Sequence, residues 1–410
     1  MRCTAIVLLM TARSCAGLFG HVSAADWPHW RGPRYDGISR ETDWRSDGLK
    51  VLWRQNVQTG FSSVAVCGGC VYTMGNSGSA ANTDPNRQAD TVFCLDADTG
   101  RILWRHVYAC PLLPKQHEGG PGATPAADAG RVYTFSKVGD VYCLDAATGD
   151  VLWSHNVVRD FSAVPPGWGF AGSPVVWNDR VILSAGESGL ALDKATGKLI
   201  WRSGTAPCGY STAAPFRTDG RDMIALLNAT ALVGLAAETG DVRWRIDWPT
   251  KDGFNMADPI IASGTAATIF VSSGYHQGCA KISAGYDSAD VVWKNQAMRN
   301  HLATCVLLDG FLYGMDYFTL ACVDYETGEV KWTHRGLGQG SLTASIDGRL
   351  IILGEKGQLV IARANAAAFQ PLSEMQPLTG RCWTVPVLSN SRIYIRNAAG
   401  DLVCLDARLR

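Results

Sequence analysis

The chain has 410 residues, 37 of them basic and 37 acidic, so its formal net charge is zero, and only 18% of its residues are charged. That balance leaves no electrostatic case for nucleic acid or an anionic membrane as the main partner. No apolar run reaches the length of a membrane span, and 44 glycines suit a β-rich fold with many tight turns.

Met1-Arg2 followed by the apolar stretch Cys3–Met10 resembles the start of a secretory leader, with Val22-Ser23-Ala24 as the cleavage site, although Arg13 interrupts the run. Residues 1–24 are therefore expected to be a signal peptide, and the mature protein to be periplasmic or secreted. A lipid anchor at Cys15 would need an aliphatic residue three positions earlier, where Ala12 stands. Residues 25–48 form an extension with three tryptophans, Trp27, Trp30 and Trp44, expected to pack against the domain that follows.

From residue 49 onward one phrase recurs. Cys94-Leu95-Asp96-Ala97-Asp98-Thr99-Gly100-Arg101-Ile102-Leu103-Trp104 returns almost verbatim as Cys143–Trp153, and more loosely before Trp201, Trp244 and Trp332; Trp53 and Trp293 end degenerate copies. Self-similarity at 39 to 51 residues signals stacked supersecondary units. Each phrase reads as strand, turn, strand, because Asp and Thr bond local backbone and Gly takes positive φ. Two further apolar runs precede it, giving four strands per period, the composition of a propeller blade.

Units begin near Ser63, Thr124, Ser173, Ala213, Asp258, Thr304, Leu342 and Val385. The seventh has lost its tryptophan, with Phe369 as a loose substitute, and the eighth stops after three strands at Ala407. Lys50–Arg54 is a fourth strand with no blade before it, and pairing it with the last unit removes two sheet edges. The expectation over 49–410 is an all-β, eight-bladed β-propeller of four-stranded antiparallel blades, monomeric and closed by its N-terminal strand. Seven blades would follow if the degenerate seventh unit were not a full one.

Cys94, Cys143, Cys322 and Cys404 share one place in the third strand, where a small, readily buried residue serves as core filler. Cys67-Gly68-Gly69-Cys70 falls at a hairpin tip, where a local disulfide would suit an oxidising compartment. Asp96-Ala97-Asp98-Thr99-Gly100 resembles the opening of a calcium loop, but Val107 stands where the bidentate Glu belongs. The histidines show no metal-binding spacing, and there is neither a nucleophile elbow nor a phosphate loop. No metal ligand and no catalytic residue is assigned.

The innermost strand of each blade lines the central channel, so the residues that lead into those strands ring one mouth. These segments differ from blade to blade while the tryptophan phrases stay alike. The candidate ligand-binding residues are Trp168, Tyr210, Ser211, Asp258, Asn300, His301, Ser341 and Trp383. Trp53, Trp104, Trp153, Trp201, Trp244, Trp293 and Trp332 are the structural tryptophans of the repeat.

The Leu-Asp-x-x-Thr-Gly…Trp phrase resembles the pyrroloquinoline quinone (PQQ) repeat of eight-bladed quinoprotein dehydrogenases and of BamB-like propellers. The opening Asp26-Trp27-Pro28-His29-Trp30-Arg31-Gly32-Pro33 and the Trp168-Gly169 and Gly209-Tyr210-Ser211 segments look like those of exported PQQ-like propellers of planctomycete-type bacteria. The resemblance implies the fold for essentially the whole mature chain. It also implies that an enzyme of this family would hold PQQ under a disulfide of two adjacent cysteines, with calcium and a catalytic Asp supplied by long insertions. No Cys-Cys pair exists here, and the longest insertions are only Asn76–Ala89 and Tyr108–Gly122. A protein positions its cofactor and the cofactor does the hard chemistry, so the expected function is a non-catalytic exported binding or scaffold protein with no cofactor. Its partner would be a protein, peptide or glycan of the cell envelope, held at the channel mouth. The alternative is a PQQ- and calcium-dependent oxidoreductase.

Overall fold

The computed structural model describes residues 25–79, 82–262 and 267–409; the expected leader, 1–24, lies outside them. Eight four-stranded antiparallel blades follow one another, with innermost strands starting at Ala65, Ala126, Val175, Ala214, Ile260, Val306, Ser341 and Val387. The ring closes as expected. Lys50–Asn56 is the outer strand of blade 8, paired with Asp401–Asp406 in a register that sets Trp53 opposite Cys404.

The recurring phrase is a docking device between neighbouring blades. Asp96 Oδ1 accepts the Thr99 N–H (2.8 Å) and hydroxyl (2.8 Å), which folds the turn and answers the calcium-loop question. Trp104 Nε1 then donates to Ala146 O in the next blade's turn, 3.0 Å away. Gly149 of that turn has φ +77°, and a Cβ there would stand 2.6 Å from the Trp104 ring. Trp53 meets Ala97 and Gly100 in the same way, as Trp201 meets Ala237 and Gly240. Across its own sheet a repeat tryptophan faces a small residue, as Trp104 faces Cys94 and Trp153 faces Cys143, except in blade 5, where Trp293 faces Lys281. At Gly234 a Cβ would meet Trp244 at 2.0 Å, so in blade 4 only glycine fits beneath the indole. The core is accordingly distributed among eight apolar clusters, one at each seam between blades.

Two expectations need correction. Cys67 and Cys70 stand opposite each other in the hairpin, yet no disulfide joins them. Cys70 is packed into the seam between blades 1 and 2 beneath Tyr72 and Cys94, while Cys67 is only partly covered. Phe369 is not the stand-in for the missing tryptophan. It precedes the outer strand Gln370–Met375 and stacks on His334, with ring centroids 4.1 Å apart. The position equivalent to the repeat tryptophan is Ser373, opposite Ile361 and just past the register shift.

The missing indole comes from the N-terminal extension. Trp44 is buried in the seam between blades 7 and 8 against Ile351, Ile361, Leu405 and Ala407. Ala407 O, equivalent to the carbonyl that accepts from a repeat tryptophan elsewhere, here accepts the Arg45 N–H at 2.7 Å. The Arg349 guanidinium lies 3.8 Å from the Trp44 ring centroid, and the Ser373 hydroxyl donates to Ser46 O. The extension thus carries the blade's docking residue.

The same segment crosses the channel. Trp27 pairs with Val66 of blade 1, and Pro28 O accepts the Ala127 N–H of blade 2. The Tyr35 hydroxyl donates to Val176 O of blade 3, Arg31 donates to Cys305 O before blade 6, and Ile38–Ser39 runs parallel to the inner strand of blade 7. One end of the channel is therefore closed, and Trp30 lines the cavity above it as a floor.

Candidate functional site

Above that floor a belt of hydrogen bonds links the blades where their inner strands begin. Backbone N–H groups donate to the next blade's side chain: Ser63 to Thr124 Oγ1 (3.1 Å), Thr124 to Ser173 Oγ (2.9 Å) and Ser173 to Thr212 Oγ1 (3.0 Å). Thr212 then donates to Asp258 Oδ1 (2.6 Å), and Asp258 to Thr304 Oγ1 (2.9 Å). Asp258 is thus the acidic member of a hydroxyl series. Its other oxygen accepts Trp30 Nε1 at 2.6 Å and the Thr304 hydroxyl at 3.2 Å. Burial raises its pKa above the ordinary carboxylate value, and the neighbouring Arg31 opposes that shift.

The belt encircles a blind pit of ≈ 680 Å³ whose wall is largely aromatic. Trp383 stacks on Phe61 (5.6 Å), Phe61 meets the edge of His117 (5.1 Å), and His117 stacks on Trp168 (5.1 Å). The series continues from Trp168 to Phe254 (6.3 Å), Phe254 to Tyr275 (5.4 Å) and Tyr275 to His301 (5.2 Å). Polar links complete the circle: Gln339 Nε2 meets His301 Nδ1 at 2.9 Å, while Glu355 accepts the Gln339 N–H (3.1 Å) and Trp383 Nε1 (3.2 Å). The collar therefore draws on segments spread over the whole ring of blades.

Burial keeps the pit histidines neutral at pH 7. His117 is pushed down to about 4 by burial and by the Lys137 charge. It accepts the Gly119 N–H on Nδ1 (3.0 Å), so its proton resides on Nε2. His301, also lowered by burial, accepts from Gln339 on Nδ1, which leaves Nε2–H to donate to the Tyr275 hydroxyl at 3.0 Å. Lys137 is 6% exposed, lines the pit, and is lowered to about 8 by burial, with Asp90 opposing the shift.

Of the residues singled out in the sequence, Trp168, Tyr210, Asp258, His301 and Trp383 line this pit. The other three are buried in the scaffold. The Ser211 hydroxyl donates to Leu227 O (2.8 Å), Asn300 Nδ2 to Met315 O (3.0 Å) and the Ser341 hydroxyl to Thr384 O (2.7 Å). Sequence reasoning passed over Trp30, His117, Lys137 and Tyr275. Lys137 and Tyr275 occupy turns between second and third strands, which open on the same mouth as the segments before the first strands.

The donor set does not fit calcium-bound PQQ. Calcium takes six to eight oxygen ligands, whereas both Asp258 oxygens already accept protein hydrogen bonds. Among the described residues no group of three or more His, Cys, Asp or Glu side chains is placed to hold a metal ion.

The family profile described as outer membrane protein assembly factor BamB matches residues 88–334, more than half of the chain. No curated protein matches the sequence. Among solved structures, BamB from Moraxella catarrhalis superposes with a TM-score of 0.61 at 15% identity, covering 87% of this chain and 99% of that one. A quinohemoprotein alcohol dehydrogenase from Pseudomonas putida HK5 gives 0.68 at 14% identity, covering 94% and 80%. The computationally designed protein Ika8 gives 0.60 at 13%, covering 87% and 99%. An assembly factor, an enzyme and a designed chain thus share this architecture, so the likeness shows the fold alone.

Proposed function

Because the chain belongs to the BamB family of PQQ-repeat propellers, we propose that it is a non-catalytic binding protein of the cell envelope that takes its ligand into the aromatic pit. One observation carries this reading: a collar of aromatic rings, closed by Gln339 and Glu355, surrounds a blind, ligand-sized cavity floored by Trp30. A pocket of this size with apolar walls and a few fixed polar groups suits a small ligand or a protruding part of a larger one. The ligand is a glycan, or an exposed segment of a protein or peptide. The leader-like residues 1–24 support export, and among the described residues no helix is long and apolar enough to cross a membrane.

Two measurements test the reading. Envelope glycans and peptides retained by the immobilised protein should be released by Trp168→Ala and by Trp383→Ala, with melting temperatures little changed. A retained set that ignores both substitutions would remove the pit from the function. Incubation with PQQ and Ca²⁺, followed by a dye-linked alcohol assay, should give neither a stoichiometric bound chromophore nor turnover. Both together would establish the oxidoreductase instead.

A further inference from the structure

We propose that the pit recognises a sugar residue bearing a single oxyanion, a carboxylate or a sulfate ester, whose charge pairs with Lys137 Nζ; this rests on the binding reading above. Lys137 sits in the turn Ser136–Gly139 between the second and third strands of blade 2. The turn is fixed by Ser136 N–H donating to Asp140 O (2.8 Å) and by Phe170 N–H donating to Lys137 O (3.0 Å). Its side chain is more than nine-tenths buried, lines the pit, and among the described residues has no hydrogen bond and no ion pair. None of the facing groups reaches Nζ in an ion pair. Asp90 supplies the nearby negative charge, but its oxygens are engaged by Asn76 (2.6 Å) and Tyr108 (3.4 Å); Cys110 is held as a thiol by burial, and Lys115 and His117 offer no negative charge. A buried ammonium is costly unless paired. An incoming anion would complete the site.

The surrounding surface favours a sugar as the carrier. On one side of the collar the rings pack on one another at 5.1 to 5.6 Å, stacked between Trp383 and Phe61 and between His117 and Trp168 and edge-on between Phe61 and His117, so they form a continuous apolar wall. Arg381 lies over the Trp383 ring (4.5 Å) and Lys115 over the Trp168 ring (5.5 Å), so a ligand meets the wall by apolar contact with what these partners leave open, and the C–H face of a pyranose offers such contact. Its hydroxyls then meet the His117 Nε2–H, the Tyr275 hydroxyl and the Gln116 side chain, which line the same space. An acidic peptide would satisfy Lys137 but leave the rings without a broad apolar face to carry.

Calorimetry on the full chain at low and at physiological salt would use tri-galacturonate, its neutral methyl ester, a sulfated galactose trisaccharide and tri-glutamate. At least one anionic sugar is expected to bind ten-fold or more tightly than the ester, and the stronger of the two names the oxyanion. Lys137→Met should bring the acid down to the ester's affinity, while Trp168→Ala weakens acid and ester together. Because an anion raises the Lys137 pKa, binding is fully present below about pH 8 and weakens toward ten-fold per unit above it. An unchanged circular dichroism spectrum and cooperative melting of Lys137→Met are the check on its folding. Equal affinity for acid and ester would overturn the anion inference and leave the binding reading intact. Binding of tri-glutamate alone would overturn the sugar. Failure of every probe would overturn the sugar as well, and the retention experiment would then judge the pit separately.

Discussion

Trp44 performs for blade 7 what Trp53 or Trp104 performs within its own blade, although it is separated from that blade by most of the sequence. Its indole fills the space that Ser373 leaves empty. Truncating a fully buried Trp costs about 3–5 kcal/mol, so Trp44→Ala should lower the denaturant midpoint by a corresponding amount. Ser373→Trp alone should destabilise, because two indoles cannot share the seam. The double variant should recover part of the loss, and a purely additive result in chemical denaturation would show that the two positions do not exchange roles. The missing repeat tryptophan was visible in the sequence; its replacement was not, because spacing carries no information about a residue that arrives from outside the repeat. His29 in the same extension is stacked on Tyr35 and pushed down to about 4 by burial. A lowered pKa means that stability is present above the unfolded value of 6.5 and is lost as pH falls toward 4, by up to about 3 kcal/mol. His29→Phe keeps the stack and should flatten that part of the stability profile; an unchanged slope in urea titrations from pH 7 to 4.5 would exclude His29 as its source.

At the level of the blade, the repeat was legible because its most regular residues touch one another across seams. Asp folds the turn, Gly lets the preceding blade's tryptophan lie flat against it, and a small third-strand residue makes room underneath. Gly149 and Gly130 separate these requirements. Their φ angles are +77° and +78°, but a Cβ at Gly149 would meet Trp104 at 2.6 Å, whereas one at Gly130 meets nothing within 4 Å. Gly130→Ala should cost about 1 kcal/mol for backbone strain alone. Gly149→Ala should cost about 1–3 kcal/mol more, for overpacking against the indole. Equal losses in thermal unfolding would mean that the turn does not bear on its neighbour's tryptophan. The pit was only half legible for the converse reason. Segments before the first strands stood out by their irregularity, yet that signal does not separate Trp168 and Trp383, which face the cavity, from Ser211, Asn300 and Ser341, which are consumed by backbone partners. Lys137 was overlooked because a lysine in a turn normally faces solvent, and only the depth of the pit makes it a buried one.

For the molecule as a whole, ring closure and channel closure are separate achievements of adjoining stretches of chain. Lys50–Asn56 completes blade 8, so a chain beginning at residue 49 retains all eight sheets. It loses Trp44 from the seam between blades 7 and 8, Trp27 from the seam between blades 8 and 1, and Trp30 from the floor of the pit. Because each seam carries its own apolar cluster, the damage should be local, as in other repeat architectures where nearest-neighbour interfaces set stability. The shortened chain is therefore expected to keep a β-rich circular dichroism spectrum while melting at a lower temperature. Hydrogen exchange should accelerate first in the inner strand Ser341–Ser345, which loses its parallel partner Ile38–Ser39, and in the strands facing the vacated Trp44 site. Blades 3 to 5, which the extension meets through Tyr35, Trp30 and the Arg31 charge beside Asp258, should keep near-native protection. Uniform loss of protection around the ring would instead mean that the extension holds the propeller together as a whole, and that the strand pairing at residues 50–56 does not close it unaided.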